Sequence, residues 1–217
     1  MPLLVPSASL RRRLSQALYG FEEMRLDHAE DLAAFVEELK RETDRGLPLV
    51  SAALIDDKLF ESLRAFFVEG KSTERLLSGY SAPLGSFSAR IDACFSLALI
   101  DQYEYNEISL IRKVRNEFAH GQHGLTFETE PVRGYCSSLQ SDLPEGAGYP
   151  TTDPRFRFTN AVICMALRLY YRPEWVKKER RTSKEWVDPD ATRWRSTEDE
   201  PPPPGVPVMG IGKPRKP

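Results

Sequence analysis

Between residues 108 and 121, the spacing of apolar residues restricts the fold more than any other feature of the sequence. Ile108, Ile111, Val114 and Phe118 are separated by three, three and four positions. This spacing places all four side chains on one face of an α-helix, which must pack inward against other apolar surface. Gly121 follows and predicts the end of the helix, because glycine is common just after a helix C-terminus.

The same helical spacing recurs along most of the chain, whereas strand patterns are scarce. We therefore predict an all-α fold, a single helical bundle. The predicted organisation is an N-terminal arm at residues 1–20, a helical domain at 21–182 and a tail rich in proline and glycine at 183–217. The tail has too few apolar residues to offset its ordering entropy, so we predict that it is disordered. Within the domain, residues 121–153 are predicted to form a long loop.

Composition excludes several classes of protein. The chain has 217 residues, of which 41% are hydrophobic, enough for a buried core. Its formal net charge of -2 argues against a dedicated DNA-coating surface. There is no apolar run as long as a membrane span and no secretory signal, so we predict a cytoplasmic protein with no membrane partner. The three cysteines are widely spaced, which predicts neither a disulfide framework nor a zinc site.

One short stretch places a cation, an amide and an imidazole within six residues: Arg115, Asn116 and His120. Asn116 and His120 are four positions apart, so their side chains can touch on a helix. Arg115 and His120 are five positions apart, about 140° around an ideal helix. Those two meet only if the arginine side chain wraps round the helix or if the helix loosens near its end. A helix C-terminus also favours a protonated histidine.

Three further features have two interpretations each. Arg90 either forms an ion pair at the surface or at a helix cap, or it is a second cation that lines a cleft beside His120. The adjacent carboxylates Asp56 and Asp57 are interpreted as a solvated face, with metal binding or acid–base chemistry as the alternative. His120 and His123 have the spacing of metal ligands, but no third ligand is evident. We therefore predict no metal and no cofactor.

Two segments carry resemblances to known families. The pattern Arg-Asn-x-x-x-His at residues 115–120 resembles the R-x4-H signature of the HEPN superfamily, in which a polar residue often follows the arginine. The preceding stretch, residues 76–91, with sequence LLSGYSAPLGSFSARI, is similar to the mannitol-repressor-like family of bacterial regulators. Together the resemblances cover roughly residues 47–121, and both families are helical.

The HEPN resemblance implies a metal-independent endoribonuclease, of the toxin or defence type, that uses the ribose 2′-OH as nucleophile. It implies that His120 is the general acid or base and that Arg115 neutralises charge on the scissile phosphate. Asn116 would orient His120 or bind a phosphate oxygen. Further phosphate-contacting cations would be Arg90, Arg112 and Lys113. Such sites are shared across a two-fold axis, so this resemblance also implies a homodimer.

The mannitol-repressor-like resemblance implies a regulatory protein instead. It would act through a protein partner, such as a transcription regulator, or through RNA. Direct reading of DNA sequence is not expected, because the chain has no helix-turn-helix signature. In this interpretation Arg115, Asn116 and His120 form a structural cluster at the helix end. We take the regulatory protein as the leading hypothesis and the endoribonuclease as its alternative.

Overall fold

The computed structural model describes residues 29–121, 124–143, 148–186, 195–196 and 210–211. These residues fall into two units, divided between Arg181 and Thr182. Helices form the first unit, which confirms the predicted all-α fold. None of the helices described is both long and apolar enough to cross a lipid bilayer. The arm at residues 1–20 and most of the tail at 183–217 lie outside the described residues, so their predicted character stays a prediction.

Eight helices are described in the first unit. They are α1 (Ala29–Arg41), α2 (Gly46–Phe66), α3 (Lys71–Leu77), α4 (Phe87–Ser96), α5 (Gln102–His120), α6 (Val132–Ser137), α7 (Pro154–Tyr170) and α8 (Arg172–Lys177). Helix α2 is central and packs against α4, α5, α7 and α8. The Arg45 side chain, just before α2, donates to the carbonyl of Gly121, just after α5, at 3.2 Å. The start of one helix thus meets the end of the other, so α2 and α5 run antiparallel.

Side-chain caps fix where three of these helices begin. The Ser86 hydroxyl accepts from the Ala89 amide at 3.2 Å at the start of α4. At the start of α5, Asp101 accepts from the Glu104 amide while the Glu104 carboxylate accepts from the Asp101 amide, which is a capping box. Asp153 caps α7, whose first residue is a proline. These bonds satisfy amide groups that have no partner within the helix.

Loss of the Asp153 cap should be measurable. We expect Asp153→Ala to lower the free energy of unfolding by about 1 kcal/mol, because the Phe156 amide loses its acceptor. Chemical denaturation followed by circular dichroism measures this change. Asp57→Ala is the control, since Asp57 is exposed in the middle of α2 and caps nothing. Equal stability of the two variants would contradict the assignment of Asp153 as a cap.

The core lies between α2, α5 and α7. Ile108, Ile111, Val114 and Phe118 are all buried, as their spacing predicts. The Phe127 ring lies between two other buried rings, with centroids 5.0 Å from Phe118 and 5.4 Å from Phe158. Further buried side chains come from α2 and α7, namely Ile55, Leu59, Leu63, Val162, Met165 and Leu169. Because α5 presents its apolar face to this core, Lys113 and His120 lie on its opposite, exposed side.

The prediction of a long loop at residues 121–153 is wrong in part, because this segment contains helix α6. The segment after α6 is fixed by the buried carboxylate of Glu107, which accepts from the amides of Gln140 at 2.8 Å and Ser141 at 3.1 Å. Arg157 of α7 donates to the carbonyl of Leu139 at 2.6 Å. These contacts join residues that are distant in sequence. Local turn signals therefore gave no indication of how firmly this segment is held.

Two basic residues after α8 close the C-terminal end of α2. The Arg180 Nε atom donates to the carbonyl of Ala65 at 2.9 Å, and its guanidinium also pairs with Glu69. The Arg181 amide donates to the carbonyl of Phe66 at 2.8 Å. The last carbonyl groups of a helix lack partners within the helix and carry partial negative charge, so the cationic guanidinium of Arg180 and the free amide of Arg181 both suit them.

The second unit is described at few residues. Trp186 is fully accessible, with a relative exposure of 85%. Two short strands, β1 (Arg195–Ser196) and β2 (Gly210–Ile211), pair in parallel, with Arg195 opposite Gly210. This pairing is the only sheet among the described residues, and it is too short to alter the helical class of the fold.

Candidate functional site

The last turns of α5 carry the candidate site. The four buried apolar residues fix the rotation of this helix and therefore decide which side chains reach its outer face. Lys113 and His120 are exposed, while Arg112, Arg115 and Asn116 are partly buried. The predicted site residues of this helix thus lie within less than three turns, with Lys113 and His120 on its exposed side.

The structure joins Arg115 to Asn116 rather than Asn116 to His120. The Arg115 Nη1 atom donates to Asn116 Oδ1 at 3.1 Å. Across the described residues, no hydrogen bond connects His120 to either of these side chains. The arginine therefore does not wrap round to the histidine, as the five-residue spacing would require. Within one chain, a cation and an amide are assembled, and the imidazole stands apart from them.

Close packing fixes the end of α5. Gly121 has an extended backbone, with φ -67 and ψ 152, rather than the left-handed conformation common for a glycine that ends a helix. A Cβ atom at this position would lie 2.5 Å from the carbonyl oxygen of Glu117. Glycine is thus required here for space. The predicted helix end is confirmed, and it follows from this close approach together with the bond from Arg45 to Gly121.

Arg90 is held by three internal contacts. Its Nη1 atom lies 2.8 Å from Asp56 Oδ2, its Nε atom donates to the carbonyl of Leu84 at 3.0 Å, and its guanidinium lies 4.9 Å from the centre of the Phe60 ring. Only 12% of the Arg90 side chain is exposed. This arginine therefore ties the loop before α4 to helix α2. Of the two interpretations of Arg90, the structure favours the ion pair.

Asp56 is the residue that sequence reasoning missed. The predicted solvated face does not extend to Asp56, whose side chain is 25% exposed and is paired with Arg90. Its Oδ1 atom is buried with no hydrogen-bond partner in the part of the chain that the structure describes. Burial raises the pKa of Asp56, and the guanidinium groups of Arg90 and, more weakly, Arg115 act in the opposite direction. The neighbouring Asp57 is exposed, as expected.

The other two predicted phosphate-contacting cations lie on the outer side of α5. The Lys113 ammonium lies 5.6 Å from the centre of the Tyr135 ring, an attractive cation–π arrangement. Arg112 is near Tyr105, whose hydroxyl donates to Asp92 at 3.1 Å. Neither cation forms a salt bridge with a described carboxylate. Both are thus available to a negatively charged partner.

Thiol chemistry and metal binding have little support from the described residues. Cys94, Cys136 and Cys164 are free and buried, and burial raises the pKa of these thiols to about 12, about 12 and about 11. A thiol is nucleophilic as the thiolate, so these side chains belong to the core. No group of three histidine, cysteine, aspartate or glutamate side chains arranged for a metal occurs among residues that the structure describes. His123 lies outside them.

Comparison with known proteins gives one structural likeness. No protein-family model matches the chain. No curated protein matches it either. A chain in the X-ray structure of the MtlR-HPr complex from Escherichia coli is 21% identical to this chain, with a TM-score of 0.46. The match covers 67% of this chain and 98% of that chain. At this TM-score the likeness carries no conclusion about function.

Proposed function

We propose that this chain is a regulatory protein of the mannitol-repressor-like type, which acts by binding a partner through the outer face of helix α5. The partner is an acidic protein surface, such as that of a transcription regulator, or an RNA. It is not a DNA sequence read directly. The proposed location is the cytoplasm, in keeping with the three free and buried cysteines.

The observation that carries this proposal is the distribution of charge on the second half of α5. Lys113 is exposed, Arg112 and Arg115 are partly buried, and Glu117 is the one carboxylate in the same turns of the helix. This part of the surface is therefore positively charged, although the whole chain has a formal net charge of -2. A local cationic surface on a weakly acidic protein attracts a negatively charged partner by electrostatic complementarity.

Regulation is favoured over catalysis because a single chain does not assemble an acid–base site. Arg115 donates to Asn116 rather than to His120. His120 has no hydrogen bond that would orient its ring within the described part of the chain. General acid–base catalysis requires a group held within hydrogen-bond distance of the proton that it transfers. The arrangement is therefore better suited to binding a partner than to catalysing a reaction.

A metal-independent endoribonuclease is the second candidate. It is supported by the exposure of His120, which leaves the imidazole accessible less than two turns from Arg115. A homodimer whose two-fold axis passes near the end of α5 would bring two sets of Arg115, Asn116 and His120 together. In that arrangement His120 of one chain could act opposite Arg115 of the other. We propose the homodimer for this reason, and light scattering at micromolar concentration tests it.

Two measurements separate the candidates. In the first, purified protein is incubated with mixed RNA in EDTA, and a regulatory protein should leave the RNA intact. An endoribonuclease should instead produce 2′,3′-cyclic phosphate ends, and His120→Ala should abolish this cleavage. Because His120 is exposed, that substitution should change the free energy of unfolding by less than about 0.5 kcal/mol. Loss of cleavage could then not be ascribed to unfolding.

The second measurement tests the cationic surface in the cell. Transcript levels are compared between a deletion strain and strains carrying the wild type, Lys113→Glu or Lys71→Glu. Lys71 is an exposed lysine on α3 and serves as the matched control. We expect the wild type and Lys71→Glu to restore a small set of transcripts, and Lys113→Glu to fail. Equal restoration by both lysine variants would contradict the proposed binding surface.

A further inference from the structure

We propose that the stacked rings of Phe95 and Tyr105 form a platform for one base of single-stranded RNA, while Arg112 binds a phosphate next to that base. The inference rests on the proposed function, because it identifies the partner of the cationic surface of α5 as RNA. The RNA is single-stranded because a base inside a duplex is already stacked on both faces, whereas the bases of a single strand can be splayed out.

The two rings come from different helices and lie against each other at the surface. Phe95 is near the end of α4 and Tyr105 is in the first turns of α5. Their ring centres are 4.6 Å apart and the ring planes are tilted by 35°. Phe95 has a relative exposure of 37%, and Tyr105 is partly exposed. The Tyr105 hydroxyl donates to Asp92 Oδ1 at 3.1 Å, so the aromatic surface is held in place before any ligand arrives.

The surroundings of the rings favour a base over an apolar protein surface. Asp92 lies one turn before Phe95 on α4, while Gln102 and Asn106 flank Tyr105 on α5, and all three polar residues are exposed. Gln102 also donates to Asn106 at 2.9 Å. The aromatic residues that dominate protein interfaces usually lie in a larger area from which water is excluded. A flat base needs only the face of a ring, so this bordered pair is better suited to stacking.

Arg112 supplies the positive charge that a phosphate requires. It follows Tyr105 by seven positions, which places the two within about 20° around the helix and about 10 Å apart along its axis. Among the described residues, no carboxylate forms an ion pair with Arg112. Guanidinium groups bind phosphate oxygens through paired N–H donors. Asp92 repels a phosphate beside the Tyr105 hydroxyl, so the phosphate is expected toward Arg112, beyond the rings.

The test compares two oligonucleotides that differ only in their bases. Binding of a short, fluorescently labelled single-stranded RNA is followed by anisotropy, alongside an abasic strand with the same number of phosphates. We expect Phe95→Leu to bind the RNA about tenfold more weakly than the wild type, the range for stacking of one base. It should bind the abasic strand equally well, because leucine keeps the apolar volume. Phe95→Tyr should retain the wild-type affinity for both strands.

Two more variants separate the ring from the charge. Tyr80→Ala removes an exposed ring in the loop between α3 and α4, and it should bind both strands like the wild type. Arg112→Gln should weaken both strands by the same factor. It should also lower the slope of log affinity against log salt by about 0.7, the value for one phosphate contact on a single strand.

Equal RNA affinities of the wild type and Phe95→Leu would overturn the platform. So would an equal loss for RNA and the abasic strand in Phe95→Leu, since that loss would not come from a base. If the wild type binds no RNA and Lys113→Glu still fails to restore transcripts, the partner is a protein, and this inference fails while the proposed function stands. Full restoration by Lys113→Glu together with RNA binding that depends on Phe95 would be the reverse result.

Discussion

Replacing Glu104 by alanine should lower the free energy of unfolding by about 3–5 kcal/mol, the usual cost of removing one partner of a buried ion pair. The Glu104 side chain is 1% exposed and lies 2.7 Å from the guanidinium of Arg172 and 3.4 Å from that of Arg168. The substitution leaves both arginines without this carboxylate, and it removes the acceptor for the Asp101 amide at the start of α5. Denaturation in guanidinium chloride measures the loss.

The matched control for Glu104 is an ion pair at the surface. Glu130 pairs with Arg133 at 2.8 Å, and both side chains are 58% exposed. Exposed pairs add at most about 1 kcal/mol, so Glu130→Ala should change stability little. If Glu104→Ala and Glu130→Ala unfold at the same denaturant concentration, the buried pair does not hold α5 to α7 and α8 as described.

Phe158→Ala should have an effect of similar size, a loss of about 3–5 kcal/mol, because it creates a cavity in the core. Phe158 is fully buried on α7, and its ring centre lies 5.4 Å from that of Phe127. Phe127 in turn contacts Phe118, so the cavity opens at the junction of α5, α7 and the segment before α6. Thermal unfolding monitored by calorimetry measures the change.

Two further substitutions test whether the cavity causes this loss of stability. Phe158→Leu keeps most of the apolar volume, so it should cost clearly less than Phe158→Ala. Tyr80→Ala removes a large ring that is fully exposed, with a relative exposure of 107%, and should leave the unfolding temperature unchanged. A small effect of Phe158→Ala would mean that the surrounding helices collapse into the space, contrary to the packing described.

Apolar spacing and a glycine signal predicted the main features of α5. Its buried face and its end at Gly121 both follow from local sequence. Apolar spacing is a reliable indicator because one helix face must be buried wherever the helix packs. Helix α6 was missed, because its six residues are too few to show a period.

The sequence predicted only those features of the candidate site that are determined within a single helix. The outward position of Lys113 and His120 follows from the rotation of α5. The role of Asp56 does not, because its partner Arg90 lies on another helix and the two meet only after α2 and α4 have packed. A pair of adjacent aspartates looks equally polar in sequence, although the fold buries part of one and exposes the other. The bond from Arg115 to Asn116 depends on side-chain conformation, which spacing alone does not determine.

The bonds from Arg180 and Arg181 to the end of α2 have a consequence for the order of events during synthesis. Arg180 reaches back to Ala65 across 115 positions of the chain. Helix α2 is the central helix, yet its last carbonyl groups receive these donors only after nearly the whole first unit has been made. Contacts between such distant residues form late in folding, since the chain must first close a long loop, at an entropic cost, before these contacts can stabilise it. Until Arg180 and Arg181 have been synthesised, the last carbonyl groups of the central helix α2 in the nascent chain therefore lack these two donors.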